Sequence, residues 1–437
     1  MEKQKIILIN PKVTINLGSP SSSKSITPLV MTNLIIFIAV ILVGHAGADP
    51  NKKAQEQINQ VMSEAMKSSD LPTVVAVGID SKGNQFDFMH GGLSWGKEEK
   101  ITGDSIFRIH SMTKMITSMA AMQLVEQGKL KLHEDLSDLM PQMTSIPIMK
   151  ADGKLVKPKN AITLHHLLTH TAGFGLPGMT YKQNPKFKRE NWNYEDFPRQ
   201  FESGTQFLYG TNTKWVGKII EKVSGMSLKV YFNRNIFGPL GMNSTYFNVP
   251  EKEKKRITSM GDRGPDGKGK LREINGDKRS PNRYPVKDVT EYSGSGGLFS
   301  TPNDYTKALK CILNYGAYED GRILKEATVK QMTKNQIGDI NLDPTGWYFD
   351  PVRCCNFEGI MDENSKWGLA FMIDNNPKAY GRKAGTVLWG GYRNTYFYID
   401  HKSGIAASIY SQHLPFNHEA TVSLFEKFSE ALYKVGS

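Results

Sequence analysis

Ser111 and Lys114 lie three residues apart, a spacing that brings a hydroxyl and an amine together on one face of a helix. There the amine can take the hydroxyl proton and make the serine nucleophilic without histidine. Ser21 with Lys24 and Ser94 with Lys97 share the spacing, but the first pair sits in a serine-rich stretch and the second in a charged turn after Gly91 and Gly92. Only Ser111 opens a segment with apolar residues at Met112, Met115, Ile116, Met119 and Leu124, the period of a half-buried helix. Both groups are expected near its N-terminus, where the helix dipole favours developing negative charge. An isolated Ser-x-x-Lys is more often an ordinary solvated helix face, so other residues must decide.

A lysine that accepts a proton must be at least partly neutral, and a phenol nearby helps to arrange this. Tyr209, in the turn Phe207 to Thr213 before a predicted helix, is the candidate; a tyrosine in such a place more commonly packs its ring. A third element is Trp389, Gly390, Gly391 and Tyr392 inside a β-forming segment, where two glycines weaken a strand and suggest close approach by a backbone or a ligand. The amides of Ser111 and Tyr392 would form the two-donor hole that an acyl-transfer oxyanion needs. A ligand-free β-bulge is the plainer reading of the same glycines.

The elements that must hold these groups read as an α+β arrangement. Lys53 to Lys67 is a predicted helix, Thr73 to Ile79 and Gln85 to Gly92 a hairpin around Gly83 and Asn84, and Thr386 to Trp389, Tyr396 to Ile399 and Ile405 to Ser411 are strands before a closing helix from His418 to Tyr433. One antiparallel sheet flanked by helices would join both ends of the chain. Leu164 to His170, Trp215 to Ser224 and Leu228 to Asn235 read as helices of an inserted lobe, with a long excursion loop over Glu251 to Lys287. The active cleft is expected where lobe meets sheet.

In chain order, Ser111-Met112-Thr113-Lys114, Tyr209-Gly210-Thr211-Asn212 and Trp389-Gly390-Gly391 resemble the three signature motifs of the serine β-lactamase and penicillin-binding-protein superfamily, in its class C-like branch. Leu164 to Gly173, Gly217 to Gly225, Pro239 to Met242 and Ser295 to Pro302 also resemble landmarks of that branch. The resemblance implies a β-lactamase/transpeptidase-like fold, Ser111 as the acylated nucleophile, and Lys114 with Tyr209 sharing the proton transfers. Two departures bear on the activity. Thr211 stands where those enzymes usually carry an asparagine, so Asn212, one residue later, is the expected substrate contact; and Trp389 replaces a residue that receives a substrate carboxylate, which an indole cannot neutralise. Both changes resemble carboxylesterases and acyltransferases of the fold and imply an ester hydrolase, with acyl transfer, β-lactamase or peptidase activity and a non-catalytic relative as alternatives; that it is secreted is expected from the apolar run near the N-terminus. Phe174, Tyr181, Trp192 and Tyr194 are candidates for an apolar acyl pocket.

No cofactor and no metal are expected. His166 and His170 stand at i and i+4 but lack the intervening glutamate of a metalloprotease helix, and His110 is expected to point away from Ser111. The expected partner is a small ester or amide. The 437 residues, 39% apolar and 22% charged, suit a globular domain. The +12 charge is scattered among acidic residues rather than striped, which argues against nucleic acid. The run Leu34 to Gly44 followed by Ala46-Gly47-Ala48 reads as a signal-peptide core and cleavage site, dividing the chain into 1–48 and a hydrolase domain at 49–437. Its loss removes four lysines and one glutamate, leaving +9. A membrane anchor through 29–48 is the alternative, although the apolar core is short; no stable membrane insertion is expected after cleavage. Asn243-Ser244-Thr245 is a glycosylation sequon for a secreted chain. Cys311 is expected to pair with Cys354 or Cys355, leaving one odd thiol.

Overall fold

The computed structural model describes residues 49–176, 197–274, 288–342, 352, 354 and 356–436. Its main sheet has seven antiparallel strands: β1 (Thr73–Ile79), β2 (Gln85–Gly91), β3 (Lys366–Trp367), β4 (Met372–Asp374), β5 (Thr386–Gly391), β6 (Thr395–Asp400) and β7 (Ile405–Tyr410). Their order is β3-β4-β5-β6-β7-β1-β2. The hairpin of β1 and β2 is therefore a sheet edge, and the pairing of β1 with β7 joins the two ends of the fold. The hairpin turn closes because the Asp80 carboxylate accepts the Lys82 and Asn84 amides while Gly83 takes φ 84°.

Strands β1, β6 and β7 are buried along their whole length, so both sheet faces must be covered. Phe397 and Tyr398 show how. As strand neighbours they point to opposite faces; Phe397 meets Tyr305 of α6 (Pro302–Leu313) at 5.6 Å, and Tyr398 meets Phe425 of α7 (Glu419–Gly436) at 5.4 Å. The helix α1 (Pro50–Met66) buries Ala54, Ile58, Met62 and Met66, one stripe at four-residue spacing.

The helix that follows Ser111, α2 (Thr113–Glu126), departs from the expected half-buried pattern. Every residue from Thr113 to Leu124 is buried, because the helix carries polar groups as well as apolar ones into the core. It packs against α4 (Asn212–Ser224), which also contacts α3 (Leu164–Leu168) and α5 (Leu228–Phe232). These helices form the expected inserted lobe, and α4 ends on Gly225 in the left-handed conformation that a helix C-terminus favours.

Two expectations need correction. Glu251 to Lys287 is not wholly an excursion loop: Glu251–Arg256 is a 3-10 helix, and Gly261–Asp262 and Arg272–Glu273 form a small sheet with His413–Leu414, while 275–287 lies outside the described residues. Cys311 does not pair with either vicinal cysteine. It is free and buried in α6, where burial pushes its thiol up to about 12, whereas Cys354 is disulfide-bonded. Cys355 and the segment 1–48 with its apolar run lie outside the described residues. Among the described residues no helix is long and apolar enough to cross a membrane.

Candidate active site

Ser111 is the middle residue of a 3-10 turn, His110–Met112, that runs directly into α2. Lys114, in the first turn of the helix, places Nζ 3.1 Å from Ser111 Oγ and donates to the Ser295 carbonyl at 2.7 Å. Burial alone lowers this amine from its ordinary 10.5 to about 7. A neutral amine has two N–H bonds and one lone pair. With one N–H engaged by Ser295, the lone pair is available to the serine proton.

The loop that supplies the Ser295 carbonyl is held along α2 by neighbouring threonines. Thr117 Oγ1 donates to the Gly294 carbonyl at 2.6 Å, and Thr113 Oγ1 accepts the Leu298 amide at 3.2 Å. Sequence reasoning treated Ser295 to Pro302 as a landmark and missed this contact. A backbone carbonyl leaves no residue-type signal by which it could have been found.

Tyr209 lies on the other side of Lys114, with Nζ 4.7 Å from the centre of its ring. Trp389 Nε1–H donates to the Tyr209 hydroxyl oxygen at 3.1 Å, an interaction that strengthens when the phenol oxygen carries negative charge. The two rings are 4.8 Å apart, and His170 packs on Tyr209 at 4.7 Å. Trp389 thus stands in the site as a donor to Tyr209.

The glycines after Trp389 work through close approach. A Cβ on Gly391 would lie 2.4 Å from the Ile109 carbonyl, so β5 runs against the chain that leads into Ser111. Tyr392, just past the end of β5, lines the Ser111 cavity.

That cavity has a volume of about 360 Å³, and Ser111, Lys114, Tyr209, Trp389, Gly390 and Tyr392 all line it. Its apolar wall comes from Leu176, Cys354, Phe357 and Phe416. Lys114 is the only lysine or arginine among its described lining residues. The serine-lysine-tyrosine set is suited to acyl transfer, and among the described lining residues no second cation faces an anionic substrate.

Several expected residues fall elsewhere. Asn212 is fully buried, and its Nδ2 donates to the Phe174 carbonyl at 2.9 Å and to His170 Nδ1 at 3.0 Å; it braces the lobe behind Tyr209, and Thr211 lines the cavity. Phe174 is also buried, packing on Trp215 at 6.1 Å and absent from the described cavity wall. Tyr181, Trp192 and Tyr194 lie outside the described residues. His110 does not sit on the helix, as its expected direction required. It adopts φ 45° and lines the cavity, and burial, then Arg108, Arg393 and Lys114, hold it well below the ordinary histidine range. His166 caps α3 with Thr163, and no group of three or more metal-binding side chains occurs among the described residues.

A family model described as Beta-lactamase matches residues 58–426. The chain belongs to this family. Its fold is the β-lactamase/transpeptidase-like α+β fold, and its class C-like relatives include acyltransferases and an esterase. Monacolin J acid methylbutanoyltransferase of Aspergillus terreus is 26% identical over 398 residues, covering 85% of this chain and 93% of that protein. Lovastatin esterase of Penicillium rubens is 26% identical over 374 residues, with 78% and 88% covered. Among solved structures, a LovD6 mutant of simvastatin synthase from Aspergillus terreus superposes with a TM-score of 0.73 at 26% identity, covering 90% of this chain and 97% of that one.

Proposed function

We propose that this protein cleaves carboxylic esters through an acyl-enzyme on Ser111. The carrying observation is the Lys114 amine, lowered to about 7 and 3.1 Å from Ser111 Oγ, beside Tyr209 in a largely apolar cavity. Lys114 takes the Ser111 proton as Oγ attacks the ester carbonyl. The amides of Ser111 and Tyr392 receive the oxyanion. Tyr209 relays a proton to the departing alkoxide, and water then releases the acid by the reverse sequence.

The preferred acyl group is uncharged, because Trp389 is committed to Tyr209 and the described wall supplies no cation apart from Lys114. Penicillins and peptidoglycan peptides, which carry a carboxylate, should be poor substrates. Acyl transfer to an alcohol is a second reading, supported by the methylbutanoyltransferase relative that covers 85% of this chain.

The test incubates the protein and Ser111→Ala with p-nitrophenyl esters, with and without alcohol acceptors, while intact mass is followed. A Ser111-dependent acyl adduct supports either reading, and acceptor-dependent product selects transfer. Absence of both adduct and turnover across the panel overturns both, and efficient cephalosporin hydrolysis overturns the substrate assignment.

Export is a separate proposal: residues 1–48 act as a secretory signal cleaved before Asp49. N-terminal sequencing of protein collected from the culture medium tests it, and an intact Met1 on secreted protein would refute it. Asn243, exposed on the folded chain, is then a glycan acceptor.

A further inference from the structure

The cavity at Ser111 shares Phe357, Trp389, Gly390 and Phe416 with a second cavity of about 90 Å³. The second lies toward α7, walled by Leu388, Tyr396, Tyr398 and Phe425. A sheet normally separates its two faces. Here the separation lapses because β4 is short: its register with β5 runs from Asp374 opposite Thr386 to Met372 opposite Leu388 and stops. Beyond Leu388, β4 offers β5 no partner.

Aromatic rings fill the opening. Phe357 stacks on Trp389 at 5.3 Å and 15°, and its edge meets Phe416 at 5.4 Å. Gly390 contributes no side chain to the partition, and a Cβ there would stand 2.5 Å from the Tyr396 ring. Phe357 is 3% exposed and, like Trp389 and Phe416, lines both cavities, so its ring is part of the partition between the two spaces.

We propose that Phe357 sets the length of acyl group the Ser111 cavity accepts, and that the smaller cavity is an extension of the acyl site for a linear aliphatic chain. The inference rests on the acyl-enzyme reading above. With the acyl carbonyl at Ser111, the chain is led away from Lys114 by the apolar wall and ends at Phe357. Removing the ring joins the two cavities past the side-chain-free Gly390. The added space is that of about three water molecules, comparable to two or three methylene groups. Its wall also carries Lys378, Glu426 and the buried pair of Arg382 with Asp374 at 2.8 Å, so an aliphatic chain gains apolar burial over only that short distance.

Linear p-nitrophenyl esters from acetyl to dodecanoyl test this on wild type, Phe357→Ala, Phe357→Leu and the double variant Phe357→Ala/Leu388→Phe. Wild type is expected to favour the shorter chains. Phe357→Ala should move the optimum up by about two carbons and raise kcat/KM for the longer esters at least about tenfold, since each newly buried methylene is worth about fourfold. Leu388→Phe, by filling the second cavity, should cancel the gain. Phe357→Leu, which keeps more of the core packing, carries the test if the alanine variant fails to fold.

The inference is overturned if a folded variant keeps the wild-type chain-length profile, if the gain survives Leu388→Phe, or if wild type cleaves decanoyl and butanoyl esters equally well. A second arm needs no catalysis. In a Ser111→Ala background, linear primary alcohols from butanol to decanol are assayed for their effect on Tm. The longer alcohols should raise Tm more when Phe357 is truncated; equal shifts refute the extension even if no ester is ever turned over, which separates this failure from failure of the esterase reading.

Discussion

Replacing Lys114 by methionine should change how stability depends on pH, by an amount that the burial of the amine fixes in advance. In the unfolded chain this amine titrates at its ordinary 10.5, and in the folded protein burial lowers it to about 7. Between those values the unfolded chain binds more protons than the folded one, so stability rises with pH across that window. Below about pH 7 both states are protonated, and the folded protein carries the full desolvation cost of the ammonium. At about 1.4 kcal/mol per pH unit, that cost is about 5 kcal/mol at pH 6 and falls to about 2 kcal/mol at pH 9.

Lys114→Met keeps most of the side-chain volume and removes the titration. It also loses the contacts with Ser295 and Ser111, at roughly 1–3 kcal/mol for a polar partner left unsatisfied, so the sign of the change at any single pH is not the test. The difference between two pH values is. Urea unfolding at pH 6 and pH 9 should find Lys114→Met gaining about 3 kcal/mol more over wild type at the lower pH, because the remaining titrating groups are common to both proteins. The same titration should appear kinetically: wild-type kcat/KM rises with pH through a midpoint of about 7 as the amine becomes neutral. Parallel stability profiles for the two proteins, or an acid limb that is absent between pH 6 and 8, would refute the assignment of a buried neutral amine.

Trp389→Phe keeps an aromatic ring on Phe357 but removes the N–H that reaches Tyr209; kcat should fall roughly 10- to 100-fold with little change in KM, the worth of a hydrogen bond to a group that gains charge, and steady-state kinetics showing an equal rise in KM instead would place Trp389 in ground-state binding. Asn212→Ala should cost about 1–3 kcal/mol in urea unfolding, since the buried Phe174 carbonyl and His170 Nδ1 lose their donor; a change in KM with stability intact would restore its expected role as a substrate contact. Gly391→Ala forces a Cβ to within 2.4 Å of the Ile109 carbonyl, so β5 must shift from the Ser111 turn; acylation, followed by intact mass, should slow at least about 100-fold if the Tyr392 amide serves the oxyanion, and an unchanged rate would exclude that amide.

The strands were legible because hydrophobic runs and turn residues are local signals: Thr73 to Ile79 is a strand over the expected span, and Gly83 with Asn84 closes the hairpin. Ser111, Lys114, Tyr209 and Trp389 were legible as residue types in order along the chain, and they do line one cavity. Asn212 and Phe174 were misplaced because a side chain's direction depends on the turn that carries it. One residue along the Tyr209 turn separates Thr211, on the cavity wall, from Asn212, buried behind it. His110 was misplaced for a related reason: its φ of 45° takes it off the helix on which its direction was inferred.

The sequence by itself determined which functional groups exist, their order, and the periodicities that build a sheet and a helical lobe. Burial, direction and proximity between distant segments were decided by the tertiary structure. Lys114 is an ordinary lysine by residue type; only packing on every side of α2 makes it an amine near 7. Trp389 was legible as an indole in place of a carboxylate-binding residue, but it became a donor to Tyr209 only when β5 met a turn 180 residues away along the chain. Ionisation and hydrogen bonding depend on distance and dielectric, and both are properties of the folded packing.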